Sequence, residues 1–245
     1  MKKILALVMA LALVVCASFA LADDAVMTHE EFVNAAIDDE ICVEAYVQAH
    51  QGWWAKDGVG RMTLYLQAED GAYFAYEVLM DEEDSFRLNE GTKIRIKGIK
   101  AEWSGEIEII EATYEILDAE PWVAEAEDVT ALLGDEKLAE HINEKIAIKG
   151  AKVVGSTVEG QDGEFPFLYN WDGSGSNEGN SDLYFKVEVD GQVYTLTVES
   201  YLCGNDTDVY KAVEALQIGD VIDLEGFLYW YNGANPHITS VTKAE

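Results

Sequence analysis

The sequence predicts a mainly β protein with short helices, built as two tandem five-stranded barrels. Each barrel is expected to have a leading helix and a second helix between its third and fourth strands. The prediction starts from a repeat: residues 216–242 match residues 88–113, with leucine, isoleucine and glycine positions at one constant offset. Both copies have alternating apolar residues, a glycine and a returning strand, as in a hairpin that closes a barrel.

The composition is strongly acidic, with 47 Asp and Glu against 16 Lys and Arg and a formal charge of −31. Nucleic acids are bound mainly through basic side chains on phosphate, and the basic residues of this chain do not cluster. The sequence therefore predicts no nucleic-acid partner. The many carboxylates suit solubility outside the cell, and they leave cationic partners or calcium open.

The first residues predict a secretory signal peptide. Lys2 and Lys3 precede an apolar run at 4–15, and Ala20 and Ala22 form a small-x-small cleavage site. The run is shorter than the ~20 residues that span a bilayer, so we expect no stable membrane insertion. The protein is expected to be secreted or held in the cell envelope after cleavage near Ala22.

The repeat divides the remaining chain into two units. We expect a signal peptide at 1–22, a first barrel at 23–117, a linker at 118–127 and a second barrel at 128–245. The linker carries Pro121 and several acidic residues, and each unit is large enough for its own core.

In the first unit, Thr28 and Glu31 form a capping box that predicts a short leading helix. Residues 40–48 alternate apolar and polar side chains, as in a strand with one buried face. The remaining predicted elements are a hairpin at 62–68 and 72–79, an acidic-capped helix at 81–88 and the closing hairpin.

The second unit repeats this order. Asp128 and Asp135 are candidate helix caps, and the later predicted elements are a strand at 144–154, a hairpin at 182–189 and 192–201, a helix at 206–216 and the closing hairpin. The units differ most between strands one and two, where residues 155–181 are rich in Gly, Ser, Asn and Asp. A loop of this length is either functional or mobile.

Three segments share an apolar-x-apolar-x-Gly strand pattern: 94–98, 146–150 and 222–226. With the element order, this pattern resembles the tRNA-anti-like bacterial OB-fold domains, in which it recurs at strands one and four. The first strand of the first unit departs from it, since Val47 stands where glycine is expected. The resemblance implies tandem OB-folds over nearly the whole chain after the signal peptide, and it implies no activity.

OB-folds bind ligands across strands two and three, between the loop joining strands one and two and the loop joining four and five. The aromatic residues expected there are Trp53, Trp54, Trp103, Tyr169, Trp171, Tyr229 and Tyr231. Exposed rings of this kind stack on sugars and on peptide side chains. We therefore expect a binding module for an extracellular oligosaccharide or peptide, although strand parity points Trp230 into the core.

The alternative is a structural or protein-interaction domain of the cell envelope, with mostly packed aromatics. A second alternative concerns calcium, because the long loop offers oxygen ligands at Asp172, Asn177, Glu178 and Asp182. The spacing does not match an EF-hand, so a solvated loop without a cofactor is favoured. Cys42 and Cys203 are either buried free thiols or one disulfide between the repeats.

Catalytic motifs are absent from the sequence: it has no His-Glu-x-x-His, no Gly-x-Ser-x-Gly and no phosphate-binding glycine loop. Cys203 and His237 are a conceivable nucleophile and base, but no third group orients them. The sequence therefore predicts a protein that is not an enzyme, and it leaves the oligomeric state open.

Overall fold

The computed structural model describes residues 25–244, so the predicted signal peptide at 1–22 lies outside the described residues. Two sheets follow one another along the chain, and each curls into a closed barrel of five strands. The predicted fold class is confirmed: the protein is mainly β, and its two barrels are consistent with tandem OB-folds. Within residues 25–244, no helix is long and apolar enough to cross a membrane.

The first barrel closes through strand pairs that are far apart in sequence. Its elements are α1 (His29–Asn34), β1 (Glu40–His50), β2 (Trp54–Lys56), β3 (Val59–Ala68), β4 (Gly71–Leu79), α2 (Glu82–Ser85), β5 (Lys93–Trp103) and β6 (Glu106–Ile116). The strand order around the barrel is β1, β5, β6, β4 and β3, and each strand pairs with the next. Strand β3 then pairs with β1, which closes the barrel. The β4–β6 pair is parallel, and the short β2 extends the sheet from β3.

The second barrel has the same closure. Its elements are β7 (Glu127–Asp128), 3-10 helices at Thr130–Leu132 and Glu136–His141, β8 (Lys145–Val154), β9 (Phe167–Tyr169), β10 (Leu183–Val189), β11 (Gln192–Val198), α3 (Asp208–Glu214), β12 (Val221–Phe227) and β13 (His237–Lys243). Strand β8 pairs with β12, then β13, β11 and β10 follow, and β10 returns to β8. The parallel pair within the closed barrel is β11–β13, and the short β7 adds a second parallel pair with β8.

Two local predictions were wrong in detail. The leading helix of the second unit is a pair of 3-10 helices, because Gly134 between them has φ +84° and interrupts the helix. The segment 155–181 is not wholly irregular, since it contains β9, which pairs with β10, and a bridge between Ser156 and Phe165.

The capping box of α1 is confirmed. The Glu31 amide donates to Thr28 Oγ1 at 3.2 Å, and the Thr28 amide donates to Glu31 Oε2 at 2.8 Å. At the other end, buried Lys100 of β5 donates from Nζ to the carbonyls of Phe32, Val33 and Ala35, each at 2.8 Å. A positive charge on the free carbonyls of a helix end stabilises it, so Lys100 fastens α1 to the barrel.

Each barrel has its own apolar core, and a third buried cluster lies between the barrels. It consists of Tyr65 and Phe74 from the outer face of the first barrel and Phe227 from the second. Tyr65 also shares a 2.7 Å hydrogen bond with Nδ1 of His237 in β13. The barrels therefore pack directly on one another. Cys42 and Cys203 are both buried, and within residues 25–244 no disulfide joins the two repeats.

The closing hairpins have diverged to form a second inter-barrel contact. In the first barrel a tight turn at Ser104 and Gly105 joins β5 to β6, whereas residues 228–236 of the second barrel extend over that turn. The Asn232 amide donates to the Ser104 carbonyl at 2.7 Å. Trp230 does not enter the core: a Cβ on Gly105 would lie 2.8 Å from Trp230 Cδ1, so its ring rests on the glycine.

Glu106 is a fully buried carboxyl at this contact. Its Oε2 accepts a 2.7 Å hydrogen bond from the Trp230 amide, and its pKa is raised to about 8 by burial. Glu106 Oε1 and Asn143 Oδ1 are buried acceptors without donors among the described residues. Asn143 lies beside this carboxyl, because its Nδ2 donates to the Ile107 carbonyl at 3.4 Å. Protonated Glu106, the form that its raised pKa favours, has a hydroxyl group that can donate to such an acceptor.

The raised pKa of Glu106 makes stability depend on pH. Between the ordinary carboxyl value and about 8, folded Glu106 holds a proton that the unfolded chain has lost, so stability falls as pH rises through this window. Glu106→Gln imitates the protonated form, so it should weaken this fall and stabilise the protein at pH 8.5. Urea unfolding between pH 5 and 9 measures both effects.

The control is Glu102→Gln, an exposed carboxylate on β5 that should leave the pH profile unchanged. Some fall will remain in Glu106→Gln, because burial also raises the pKa values of Glu108 and Glu199 to about 7. A Glu106→Gln profile that matches the wild type would refute the protonated contact.

Candidate functional site: a cavity between the barrels

A cavity of about 850 Å³ opens where the outer faces of the two barrels meet. The first barrel contributes residues 51–54, which follow β1, and the outer faces of β3 and β4. The second contributes β10, β11, residues 199–201 and the β12–β13 connection. The face formed by strands two and three in each barrel, where OB-folds bind ligands, therefore fronts the same space.

The floor of the cavity is a stack of rings. Tyr229 lies on His237 with ring centroids 4.3 Å apart, and Phe74 meets Tyr229 edge-on at 5.3 Å. Burial lowers the pKa of His237 to about 3, so its imidazole is neutral at physiological pH. Nδ1 is bonded to Tyr65, and Nε2 has no hydrogen-bond partner among residues 25–244. The ring thus offers one polar atom to a ligand.

The position of Trp53 in the wall depends on a glycine. Its indole Nε1 donates to the Met80 carbonyl at 3.0 Å. A Cβ on Gly60 would lie 2.7 Å from both Cζ2 and Nε1 of that indole. The absence of a side chain on Gly60 therefore allows Trp53 to lie against β3.

Trp54 is held differently, because it turns towards solvent with 38% of its surface exposed. The guanidinium carbon of Arg61 lies 5.6 Å from the centre of its ring, and Arg61 Nη1 donates to Glu77 Oε2 at 2.9 Å. Trp54 and Glu77 line one side of the cavity, and Arg61, which is not a lining residue, rests as a cation on the face of Trp54.

Two carboxyl groups mark the opposite wall. Asp182 Oδ1 accepts from the amide and the hydroxyl of Ser200, at 2.8 and 2.6 Å. Glu199 accepts from the Leu202 and Tyr201 amides, at 2.8 and 3.2 Å, and from Gln51 Nε2 of the first barrel at 3.2 Å. Burial, followed by the charge of Asp182, raises the pKa of Glu199 to about 7. Glu199 thus joins the barrels at the cavity wall.

Four of the seven aromatic residues expected from the sequence line this cavity: Trp53, Trp54, Tyr229 and Tyr231. The other three lie elsewhere. Trp103 is exposed at the end of β5, and Trp171 is 75% exposed in the loop after β9. Tyr169 donates from its hydroxyl to Glu214 Oε1 at 2.5 Å, on the side of α3.

Several lining residues were not anticipated from the sequence: Phe74, Tyr76, Tyr184, Glu199, Tyr201 and His237. The burial pattern of β4 indicates some of these residues. Tyr73 and Ala75 point into the barrel, so Phe74 between them points outward, yet it is buried. An apolar side chain at an outward position of a barrel strand indicates that another element covers that face.

The calcium candidates do not converge. Asp172 accepts from the Ser174 amide, the Asn177 amide group donates to Glu214, Asp182 bonds Ser200, and Glu178 is exposed. Over residues 25–244, no group of three or more His, Cys, Asp and Glu side chains is arranged to hold a metal ion.

Gly60→Ala tests the packing of the wall. The added Cβ would overlap the Met80 carbonyl oxygen and lie 2.7 Å from the Trp53 indole, so it should displace both groups and break the hydrogen bond between them. We expect the free energy of unfolding to fall by about 1–3 kcal/mol. Acrylamide should then quench tryptophan fluorescence more strongly. Gly52→Ala is the matched control, because a Cβ at Gly52 meets nothing within 4 Å. Equal stability of the two variants would contradict the role given to Gly60.

Comparisons with known proteins find likeness in structure alone. No protein-family model and no curated protein matches the chain. A murine DNA-binding protein bound to double-stranded DNA has a TM-score of 0.39 at 12% identity, covering 83% of this chain and 96% of that one. The p204 HINb domain has a TM-score of 0.37 at 10% identity, covering 86% and 99%. A replication protein A heterotrimer bound to single-stranded DNA has 0.33 at 12% identity, covering 87% and 51%.

The comparisons do not support the expected ligand. The sequence predicted an extracellular oligosaccharide, peptide or protein partner and excluded nucleic acid, whereas structures found by the comparison are bound to double- or single-stranded DNA. They include HIN domains, so the narrower tRNA-anti-like assignment is not supported either. TM-scores this low do not show what this chain binds. Its own residues indicate the ligand.

Proposed function

We propose that the chain is a non-enzymatic binding protein that holds a small organic molecule in the cavity between its barrels. The observation that carries this proposal is the cavity itself, of about 850 Å³ and lined by aromatic rings from both barrels. Pockets for small ligands have volumes of roughly 300–1,000 Å³, lie often at domain interfaces and combine apolar walls with a few polar groups.

The arrangement of side chains suits a ring-bearing ligand. Tyr76, Tyr201 and Tyr231 line the cavity and are exposed, so their faces are available for stacking, and Trp54 is exposed with Arg61 over one face. Deeper in the cavity, the Thr197 hydroxyl donates to Asn235 Oδ1 at 2.9 Å. The side-chain Nδ2 of Asn235 has no hydrogen-bond partner within the described residues, and it can orient a ligand.

The ionisable groups of the cavity favour binding over catalysis. Burial lowers the pKa of His237 in the cavity to about 3, and it raises the pKa of the Cys203 thiol, a core residue of the second barrel, to about 12. At neutral pH the thiol is therefore protonated and the imidazole is a poor base, whereas a general base works best with a pKa near the operating pH. Glu199 has a pKa near 7, but the hydrogen bonds to its oxygens come from the protein.

Ligand screening tests the proposal. A fragment set balanced between cationic, neutral and anionic molecules should yield binders detected by ligand-observed NMR. Trp54→Ala and Tyr231→Ala should each weaken their affinity about tenfold or more, because each removes an exposed stacking face at the opening. Trp103→Ala and Trp171→Ala, two exposed tryptophans outside the cavity, should leave affinity unchanged.

Two outcomes would reject the proposal. One is a screen without binders, or with binders that all four variants retain equally. The other comes from a labelled single-stranded oligonucleotide: if it bound, and Trp54→Ala and Tyr231→Ala abolished its binding, the cavity would serve a nucleic acid instead of a small molecule.

We also propose that the protein acts after export, on the basis of Lys2, Lys3 and the apolar run at 4–15. Expression of the full chain in a bacterial host should place it outside the cytoplasm, with Asp23 as the first residue found by N-terminal sequencing. Retention in the cytoplasm with an intact start would contradict export.

A further inference from the structure

We propose that the ligand of the cavity is an organic cation, held between the aromatic faces of the opening and the carboxyl groups of Asp182 and Glu199. This inference rests on the proposed function, since it names the chemical class of the molecule bound there. It comes from the charges, the free hydrogen-bonding atoms and the rings of the lining residues.

The charge of the lining has one sign. Three carboxyl groups face the cavity, from Glu77, Asp182 and Glu199, and the lining residues include no lysine or arginine. Arg61, from behind the wall, pairs with Glu77 at 2.9 Å. The other two carboxyl groups form no ion pair among residues 25–244. A cationic ligand supplies the charge that this wall lacks.

The two carboxyl groups are fixed in place, and Asp182 retains a free acceptor oxygen. Both are anchored through the same turn, Asp182 by the amide and hydroxyl of Ser200 and Glu199 by the Tyr201 and Leu202 amides. Asp182 uses Oδ1 for its bonds, so Oδ2 has no donor in the part of the chain that the structure describes. An ammonium or amidinium group donates several hydrogen bonds and satisfies such acceptors.

The rings add a second attraction for a cation. The face of an aromatic ring carries negative charge in its quadrupole, and it attracts cations within about 6 Å of the centroid. Trp54 already shows this preference, with the Arg61 guanidinium carbon 5.6 Å from its ring centre. Tyr76, Tyr184 and Tyr229 offer further rings along the same cavity.

Binding of a cation should be coupled to the loss of a proton from Glu199. Its carboxyl has a pKa of about 7 because of burial and the charge of Asp182, and a bound positive charge favours the ionised form. Besides Asp182, four titratable groups near Glu199 stay neutral, since burial raises the pKa values of Tyr65, Tyr184, Tyr229 and Cys203. Affinity should therefore rise with pH up to about 7 and then level.

Three probes with one ring and different charges isolate this effect. Isothermal titration calorimetry with 2-phenylethylamine, 2-phenylethanol and 3-phenylpropionate compares a cation, a neutral molecule and an anion. We expect the amine to bind at least about tenfold more tightly than the alcohol, and the anion to bind weakest. Titrations at pH 6.5 in phosphate and in Tris, which differ in ionisation enthalpy, should show proton release with the amine only.

Two substitutions remove the charge while keeping the shape. Glu199→Gln and Asp182→Asn should each reduce the amine's affinity about tenfold, with little change for the alcohol, and Glu199→Gln should abolish proton release. Glu140→Gln, an exposed carboxylate on a 3-10 helix outside the cavity, is the control for net charge. Unfolding curves establish that each variant is folded. If Glu199→Gln does not fold, Asp182→Asn provides the test.

The outcomes separate this inference from the proposed function. If the alcohol or the propionate binds as tightly as the amine, and Trp54→Ala weakens all three, the cavity is a ligand site and the cation is the wrong class. If the amine's affinity survives both Glu199→Gln and Asp182→Asn, the carboxyl groups do not recognise it and the inference also fails. If no fragment and no probe binds, both the small-molecule site and its preference for cations are wrong.

Discussion

The contact between the outer faces of the two barrels is the constraint on which the rest of the structure depends. Tyr65 and Phe74 of the first barrel are buried only because Phe227 and His237 of the second cover them. Burying large aromatic rings stabilises by roughly 1.5–3 kcal/mol each, so this small cluster is a strong link between two independent cores. It also brings together the faces of strands two and three from both barrels, which in a single OB-fold would lie open to solvent.

That contact explains why the repeated hairpins differ in their loops. The Ser104–Gly105 turn is short and lies under Trp230, while residues 228–236 are long enough to cross it and to carry Tyr229 and Tyr231 into the cavity. The short hairpin turn of the first barrel thus lies underneath, and the longer hairpin loop of the second barrel packs over it. Two equal barrels with equal loops would leave two separate grooves, whereas this asymmetry produces one cavity with walls from both repeats.

The barrels were predictable from sequence because their signals are local and occur twice. Alternation in β1, the Thr28 capping box and the kinking glycines each depend on neighbours in sequence. The cavity was only partly predictable, since it arises from the docking of two faces, about which local periodicity carries no information. Trp53 and Trp54 were found from their loop position. Glu199 and His237 were missed because their roles depend on Gln51 and Tyr65, which are distant in sequence.

Buried carboxyl groups lie along the same inter-barrel surface. The free-energy cost of burying their charge depends on how the barrels pack, and it affects how the cavity binds a ligand. Glu106 sits beneath the hairpin contact and Glu199 at the cavity wall, and burial raises the pKa of both towards or above neutrality. At neutral pH, Glu106 is therefore largely protonated, so it adds little negative charge to a chain that already carries −31. At neutral pH, Glu199 is close to its pKa and therefore partly ionised, so a neighbouring positive charge has the largest effect on its ionisation. A structural carboxyl and a ligand-responsive one thus arise from the same cause, burial between the barrels. Both accept hydrogen bonds from backbone amides, but Glu199 also lines the open cavity and Glu106 does not.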